Sequence, residues 1–404
     1  MVVKIADPIL MREINKFHVL EAIRLSGQVS RVEISRKTFL SGTTVSAITG
    51  ALIDEGLIEA VHTQPSEKVG RGRPRVLLQL IADAAFIIGL MISERKISAT
   101  IANFRGEPVH SIQLPVGVAH WGKDVIVDLI EDTVHECISG SGIDPLLIKG
   151  IGIGTPGLRD STSKITSQYT GLETYQIEIG QELSKRVNLP VRAERSANLI
   201  ALAESWFEQG GRDQSLAVIT IDDKVDLSLV FNGELFRGAS GLGPAFGQTP
   251  VYKTAVDDTH DQLVSLGGLF SHDASRNIAN LVLENGLKNG RVAARGALAK
   301  VAEQANKGNS TAVAFFEEQG RALGQAVAHI INLTNPHKII INFENPSQCV
   351  LVERAFNDSL TQHTSLTFKA QSTIVLRELD EDVSVRGAVA LMLRDIYSAP
   401  WTAQ

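Results

Sequence analysis

The order of strands and helices predicted by the sequence repeats once along the chain, and this repeat constrains the fold more than any other feature. The first copy has three apolar strands, an amphipathic helix and a buried strand, at 86–92, 97–102, 109–114, 125–138 and 148–153. The second copy has strands at 216–221, 226–231 and 234–236, long helices between 273 and 333, and a buried strand at 338–341. Two such units in tandem predict a duplicated, two-lobed α/β domain with a ligand cleft between the lobes.

The residues ahead of this repeat differ from it in charge. The whole chain of 404 residues has a formal net charge of −6. Residues 1–80 hold 11 Lys and Arg against 8 Asp and Glu, a balance of +3, so residues 81–404 carry −9. This asymmetry predicts a small polyanion-binding domain at 1–80, attached to a larger domain at 81–404 with another role.

Length and composition exclude several other classes of protein. At about 100–200 residues per domain, the chain is long enough for two or three domains with cores of their own. Cys137 and Cys349 are too few for a disulfide framework or a cysteine-rich zinc site. No apolar run approaches the roughly 18 residues of a membrane span, and Asp7 and Glu13 interrupt the segment where a signal peptide would be apolar. We therefore expect a cytoplasmic protein with no membrane partner.

The first 80 residues predict a winged helix-turn-helix. The pattern gives three helices, within 11–25, from Ser30 to near Thr38 and from Ser41 to Gly56, followed by strands at 57–58 and 76–78. Ser30 and Glu33 form a capping-box pair, and Ser41 is a good N-cap for the third helix. A three-helix bundle used only for packing would show the same periodicity.

The outward face of the third helix favours DNA binding over that alternative. Its residues are small or hydroxylated and can approach base edges in a major groove: Gly42, Thr43, Thr44, Ser46, Ala47 and Thr49. A solvated surface helix would carry more Lys and Glu. No Lys or Arg lies between Lys37 and Lys68, so Arg31, Arg36, Lys37 and the following loop must neutralise phosphates.

That loop has the most distinctive local pattern of the first 80 residues. In residues 70–75, Gly-Arg-Gly-Arg-Pro-Arg, three arginines alternate with residues of little bulk. An extended backbone of this kind can lie in a narrow A·T-rich minor groove, with Arg71, Arg73 and Arg75 directed at its floor. The pattern looks like an AT-hook core, and its alternative is a flexible charged linker.

Four motifs of the larger domain resemble, in order and spacing, those of the ROK family of sugar kinases and repressors. They lie at residues 152–158, 194–204, 232–241 and 332–336. Residues 1–80 resemble the DNA-binding domain of the repressor branch. The resemblance implies an actin-like ATPase fold with one lobe at about 84–200 plus the C-terminal helix and the other at about 205–380. It also implies a dimer or tetramer, with a sugar bound between the lobes.

At four places the chain departs from what the kinases of this family require. Met91 and Ser93 stand where the kinases carry an Asp and a Gly that approach phosphate. Residues 222–228 hold three carboxylates and no glycine where a glycine-rich loop would bind a triphosphate, and 342–344 replace glycines beside adenosine. Ser196 replaces the catalytic Asp, and a hydroxyl without its own base cannot accept a proton near neutral pH. We therefore expect no kinase activity, no catalytic residue and no cofactor.

The metal and sugar positions implied by the resemblance have changed as well. The family's zinc ligands would fall on Gln248 and near Asp261, Leu263 and Gly268. His260 with one neighbouring carboxylate does not supply the four donors that zinc needs, so we expect no metal. Ala245 and Phe270 replace two sugar-contacting glutamates, which makes a free hexose a poor effector. The polar residues left for an effector cleft are Gln168, Tyr169, Glu194, Ser196, Asn198 and Gln248.

These features together predict a transcriptional regulator, most simply a repressor of sugar or related metabolic genes. As a homodimer or homotetramer it would present two DNA-binding domains to an A·T-rich, pseudo-palindromic operator. A small-molecule effector of unknown identity would control it. Two alternatives stay open at this point: a sugar kinase with an accessory domain, and a DNA-binding scaffold controlled by a protein partner.

Overall fold

A computed structural model describes most of the chain. The described residues are 8–62, 76–93, 96–116, 123–155, 158–159, 165–167, 175–177, 179–207, 215–222, 224–239, 243–253, 262–283, 294–365, 367 and 371–397. They form two compact units, one made of residues before 159, between 163 and 199 and after 383, the other of residues 200–383 together with Arg159. None of the helices in these ranges is long and apolar enough to cross a membrane.

The N-terminal domain is a winged helix-turn-helix, as the sequence predicts. Its elements are α1 (Pro8–Ser26), β1 (Val29–Ser30), α2 (Arg31–Thr38), α3 (Gly42–Asp54), β2 (Ile58–His62) and β3 (Val76–Leu80). The three strands pair antiparallel in the order β1-β3-β2. The apolar stripes of the helices meet over this sheet in a buried core, which includes Phe17, Ile23, Ile34, Val45, Leu52 and Leu78. Burial of these side chains holds the second and third helices at a fixed angle to each other.

The first unit continues with a five-stranded mixed sheet. Its strands are β4 (Phe86–Ile92), β5 (Lys96–Asn103), β6 (Pro108–Pro115), β7 (Ile148–Thr155) and β11 (Val191–Arg195), in the order β11-β7-β4-β5-β6. Strands β4, β7 and β11 pair parallel, and β5 pairs antiparallel with both of its neighbours, β4 and β6. Helix α4 (Lys123–Ser141) covers one face with Ile126, Ile130 and Val134. Three short strands follow β7, namely β8 (Leu158–Arg159), β9 (Ile165–Ser167) and β10 (Tyr175–Ile177), and α5 (Ile179–Val187) and α6 (Ser196–Phe207) flank β11.

The opposite face of this sheet is covered by the C-terminal helix, α12 (Glu381–Tyr397). The helix backbone lies directly on two strand glycines. A Cβ added to Gly89 would lie 2.6 Å from the carbonyl oxygen of Val385, and one added to Gly152 would overlap the carbonyl of Ala388. Gly387 on the helix in turn lies against the backbone of Leu199 in α6. A side chain at Gly89 or Gly152 would force the helix away from the sheet, and one at Gly387 would force it away from α6.

The last residue of α12 also reaches the N-terminal domain. The Tyr397 ring is buried and stacks on Phe104 with ring centroids 4.9 Å apart, and its hydroxyl donates to the Phe104 carbonyl over 3.2 Å. Burial raises the pKa of Tyr397. Arg24 of α1 lies in the same buried region, where burial lowers the pKa of its guanidinium and Glu21 pairs with it at 3.4 Å. The C-terminal helix and the first helix therefore share one packed junction.

The second unit repeats the sheet of the first. Its strands are β12 (Leu216–Ile221), β13 (Val225–Phe231), β14 (Glu234–Leu235), β17 (Lys338–Phe343) and β18 (Thr373–Glu378), in the order β14-β13-β12-β17-β18. Again three strands, β12, β17 and β18, pair parallel, and one strand, β13, pairs antiparallel with both of its neighbours. A hairpin of β15 (Pro250–Lys253) and β16 (Gln262–Ser265) precedes five helices: α7 (Leu266–Phe270), α8 (His272–Val282), α9 (Ala294–Asn306), α10 (Ser310–Thr334) and α11 (Pro346–His363). The predicted duplicated α/β architecture is thereby confirmed.

Candidate functional site

The helix-turn-helix is held in place by side chains at the start of each helix. Ser30 and Glu33 form the predicted capping box, in which the Ser30 hydroxyl accepts from the Glu33 N–H at 3.3 Å and the Glu33 carboxylate accepts from the Ser30 N–H at 2.9 Å. The Ser41 hydroxyl accepts from the N–H of Thr44 at 3.1 Å and caps α3. Both caps stabilise helices that are too short to persist alone.

Most of the α3 residues predicted to face outward are exposed. Gly42, Thr43, Ser46 and Ala47 are exposed, whereas Thr44 is half-buried with its hydroxyl 2.8 Å from Ser41 Oγ. The prediction that Thr49 faces outward is wrong, because this side chain is completely buried. Position 49 lies on the same side of the helix as Val45 and Leu52, which face the core.

Thr49 instead forms a hydrogen bond with Arg31, one of the residues predicted to contact DNA phosphates. Its hydroxyl accepts from Nε of the half-buried Arg31 at 2.9 Å and donates to the Ser46 carbonyl at 3.3 Å. The guanidinium of Arg31 is therefore fixed against the recognition helix. Thr49 was predicted to contact bases, and its burial instead lets it orient Arg31.

The other predicted cations of this domain are distributed around α2. Arg36 is exposed, and the Lys37 ammonium donates to Ser26 Oγ at the end of α1 over 2.7 Å. The three arginines of the wing loop, Arg71, Arg73 and Arg75, lie outside the described residues, and their role in a minor groove stays a prediction.

In the larger domain, two of the predicted effector residues, Glu194 and Asn198, belong to one hydrogen-bonded cluster. The buried Glu194 carboxylate accepts from the Arg195 N–H at 2.9 Å and from Nδ2 of Asn198 at 3.0 Å. The Arg195 guanidinium donates to Oδ1 of Asn198 at 3.4 Å, and Ser196 is half-buried at the first residue of α6. Arg195, which the sequence did not single out, joins this cluster through that hydrogen bond, and its place between two predicted residues was a usable signal.

The remaining effector candidates are Gln248, Gln168 and Tyr169. Gln248 is exposed in a short 3₁₀ turn, Phe246–Gln248, of the second unit. Gln168 and Tyr169 lie outside the described residues. Glu194 and Asn198 thus form the core of the candidate effector site, with amide and carboxylate oxygens that suit hydroxyl-bearing ligands.

Side chains occupy the positions where the kinases of the resembling family bind phosphate. The Met91 sulfur lies so close to Gly154 that an added Cβ there would overlap it. Ser93 is used in a turn, where its hydroxyl donates to the Lys96 carbonyl at 2.9 Å. A phosphate approaching Gly154 would have to displace a thioether, which offers it no donor.

The corresponding positions in the second unit are also used for structure. The Asp222 carboxylate accepts from the Lys224 N–H at 2.8 Å in the β12–β13 turn. Asn342 is buried and accepts from Nε of Arg377 at 2.9 Å, while the same guanidinium pairs with Glu204. This network ties α6 to the sheet of the second unit.

The predicted metal and sugar positions carry other roles in the fold. Phe270 is buried in the core of the second unit, Leu263 is exposed and Gly268 lies on α7. His260 and Asp261 lie outside the described residues. Among the side chains that the structure describes, no three His, Cys, Asp or Glu form a group that could hold a metal ion.

Comparison with known protein families gives two matches. A sequence model of the ROK family matches residues 87–395, and a model of winged helix-turn-helix DNA-binding domains matches residues 12–59. Residues 60–86 separate the two matched ranges.

Individual relatives cover nearly the whole chain. The xylose repressor of Caldicellulosiruptor bescii is 25% identical over 401 residues, 97% of this chain and 98% of that protein. The N-acetylglucosamine repressor of Escherichia coli O6:H1 is 24% identical over 389 residues, 95% of this chain and 93% of that protein. A crystal structure of a ROK family transcriptional regulator, a homologue of the E. coli MLC protein, has a TM-score of 0.77, 21% identity, and covers 96% of this chain and 97% of its own.

The Arg31–Thr49 hydrogen bond generates a prediction for DNA binding. Thr49→Val keeps the size of the buried side chain and removes the acceptor of Arg31, which then loses its fixed orientation. A hydrogen bond to a charged group contributes about 1.5–3 kcal/mol, part of which is lost with the orientation. We expect the dissociation constant for duplex DNA to rise about fivefold at fixed salt.

Thr133→Val is the matched control, because Thr133 is also buried and its hydroxyl donates to a helix carbonyl, that of Leu129. This variant should bind DNA as the unaltered chain does. Equal affinity of Thr49→Val and Thr133→Val would show that the Arg31 contact does not matter for DNA binding.

Proposed function

The chain belongs to the ROK family, and from this membership we propose that it is a DNA-binding transcriptional repressor of genes for sugar metabolism. The single observation that carries the proposal is the winged helix-turn-helix joined to a ROK domain. Its recognition helix exposes small and hydroxylated side chains of the kind that fit a major groove. Full-length relatives that bear the names of a xylose repressor and an N-acetylglucosamine repressor support the same function.

The operator we propose is A·T-rich and pseudo-palindromic. A homodimer or homotetramer would place two recognition helices in successive major grooves, about one helical turn apart. Arg71, Arg73 and Arg75 would enter the flanking minor grooves, where narrow A·T tracts concentrate negative potential. Arg31, Arg36 and the loop arginines supply the phosphate contacts that α3 itself lacks.

The ROK domain, in this proposal, senses an effector and performs no phosphoryl transfer. Met91 covers Gly154 in the first unit, and in the second unit the Asn342 side-chain oxygen accepts a hydrogen bond from Arg377. Ser196 has no carboxylate to offer as general base for a sugar hydroxyl. The account therefore predicts no ATP turnover with any sugar in a coupled assay.

A hydroxyl-rich ligand is the effector class that we propose. Glu194 and Asn198 present a carboxylate and an amide within one hydrogen-bonded cluster. Such oxygens accept from sugar hydroxyls, and the names of the two relatives point to the same ligand class. Control by a protein partner is the alternative, and it requires no ligand at this cluster.

Specific DNA binding is tested with duplexes selected by the intact chain from a random-sequence library. We expect the selected duplexes to be A·T-rich with two related half-sites, and to bind at least a hundredfold more tightly than random DNA across a salt series. Equal affinity for selected and random duplexes at every salt concentration would contradict the proposal.

The wing loop is tested on the same duplexes with altered flanks. Arg73→Ala should weaken binding about tenfold where the flanks are A·T-rich and less where they are G·C-rich, because the minor-groove potential differs. Lys68→Ala, which removes a charge of the same segment outside the Gly-Arg repeat, is the control. If Arg73→Ala lowered the affinity equally for both kinds of flank, the loop would contact only phosphates and would not read the minor groove.

The effector proposal is tested by thermal unfolding with xylose, N-acetylglucosamine, their phosphates and other sugars. A ligand present at 100 times its dissociation constant stabilises the native state by about 2.7 kcal/mol, a shift of several degrees. Glu194→Gln should abolish that shift, while Glu182→Gln on the surface of α5 should keep it. The absence of a shift with every compound would favour control by a protein partner.

A further inference from the structure

We propose that Phe39 is a DNA-contacting residue whose ring packs against the 5-methyl group of a thymine at the edge of the major groove. The inference rests on the proposed DNA-binding function and adds a contact outside the recognition helix. Phe39 lies in the turn between α2 and α3, ahead of the Ser41 cap.

The backbone of Phe39 adopts a conformation that suits other residues better. Its φ is 57° and its ψ is 17°, in the left-handed region. Among the described residues, the other non-glycine positions with positive φ are Asn188, Asn232 and Asn335. Asparagine tolerates this region because its short polar side chain bonds locally, whereas a bulky aromatic residue there is an outlier.

Neighbouring side chains impose this conformation on the turn. The Ser35 hydroxyl donates to the Leu40 carbonyl at 2.6 Å, and the Thr38 hydroxyl donates to the Ile34 carbonyl at 2.8 Å. Ser41 then starts α3 through its hydrogen bond to the Thr44 N–H. The turn is thus closed on both sides of Phe39 without any contribution from its ring.

The ring also contributes little to packing. It is 94% exposed, more than any other large hydrophobic side chain in the described part of the chain. A residue that is both unfavourable for its backbone and exposed to water has no structural role that asparagine or glycine would not fill better. The ring therefore points to a partner that covers it.

The surroundings of the ring fit DNA better than protein. The segment between Glu33 and Asp54 contains no acidic residue, and the exposed Arg36 precedes the turn. On the other side, Thr43 belongs to the exposed N-terminal part of α3, which enters the groove first in helix-turn-helix complexes. The thymine methyl is the apolar group that a major groove presents to a phenylalanine.

The test compares Phe39→Asn with the unaltered full-length chain on the tightest duplex selected by that chain. Asparagine keeps the left-handed backbone and removes the ring. We expect the unfolding temperature to stay unchanged or rise, and the dissociation constant for the duplex to rise about tenfold. Replacing the operator thymines one at a time by deoxyuridine should weaken binding by the unaltered chain at one position per half-site. At that position Phe39→Asn should show no further loss.

Leu146→Asn is the matched control, because Leu146 is 80% exposed and lies in a 3₁₀ turn of the larger domain. It should leave DNA binding unchanged. A lower unfolding temperature for Phe39→Asn would make the ring structural and overturn the proposal, as would unchanged affinity for the duplex. A loss of affinity that no deoxyuridine substitution reproduces would overturn the thymine contact. Failure of the unaltered chain to prefer its selected duplex would instead contradict the proposed function itself.

Discussion

The backbone of helix α12 lies directly on the central strands of the first sheet, and the arrangement of the first unit depends on this contact. Gly89 and Gly152 leave room for the carbonyl groups of Val385 and Ala388, and Gly387 allows the helix to lie against Leu199 at the same time. The helix is therefore fixed both to the sheet and to α6, which follows the Glu194–Asn198 cluster. Interiors packed this closely transmit displacement, because few voids absorb it.

The C-terminal end of the same helix lies next to α1 of the N-terminal domain, where Tyr397 interacts with Arg24. Tyr397, the last residue of the helix, packs against Phe104, and its hydrogen bond to the Phe104 carbonyl contributes about 1 kcal/mol to stability. Arg24 and Glu21 add a buried pair from α1 to the same region, where an uncompensated charge would be costly. On the other side of the domain junction, the Arg105 guanidinium donates to the Leu80 carbonyl at 2.6 Å. The N-terminal domain is thus held to the rest of the first unit by polar groups as well as apolar ones.

Much of this fold is predictable because burial and periodicity agree along the chain. The strand at 216–221 is correct at both ends, since six consecutive apolar or β-branched residues are buried on both faces. The strand at 191–195 is missed because Arg192, Glu194 and Arg195 give it no apolar pattern. Its place is set by parallel pairing with β7, which only the tertiary structure reveals.

The sequence predicted which types of residue form the candidate DNA-binding site, but not which way each side chain faces. The face of α3 and both serine caps follow from helical spacing, yet Thr49 is buried because a position at the edge of the apolar stripe can face either way. Phe39 carries no sequence signal at all, since the left-handed backbone that exposes it follows from the closure of the turn. Glu194 and Asn198 were singled out by the family resemblance as effector candidates, and the structure shows that they share a hydrogen-bonded cluster with Arg195, which was not singled out.

Hydrogen–deuterium exchange of the full-length chain, with and without its selected duplex, tests the central claim most directly. We expect slower exchange of backbone amides at residues 30–47, which include α2, the following turn and the N-terminal part of the recognition helix α3. We expect no change in α7–α10 of the second unit. Protection in α7–α10, with unchanged exchange at residues 30–47, would contradict DNA recognition by the winged helix-turn-helix.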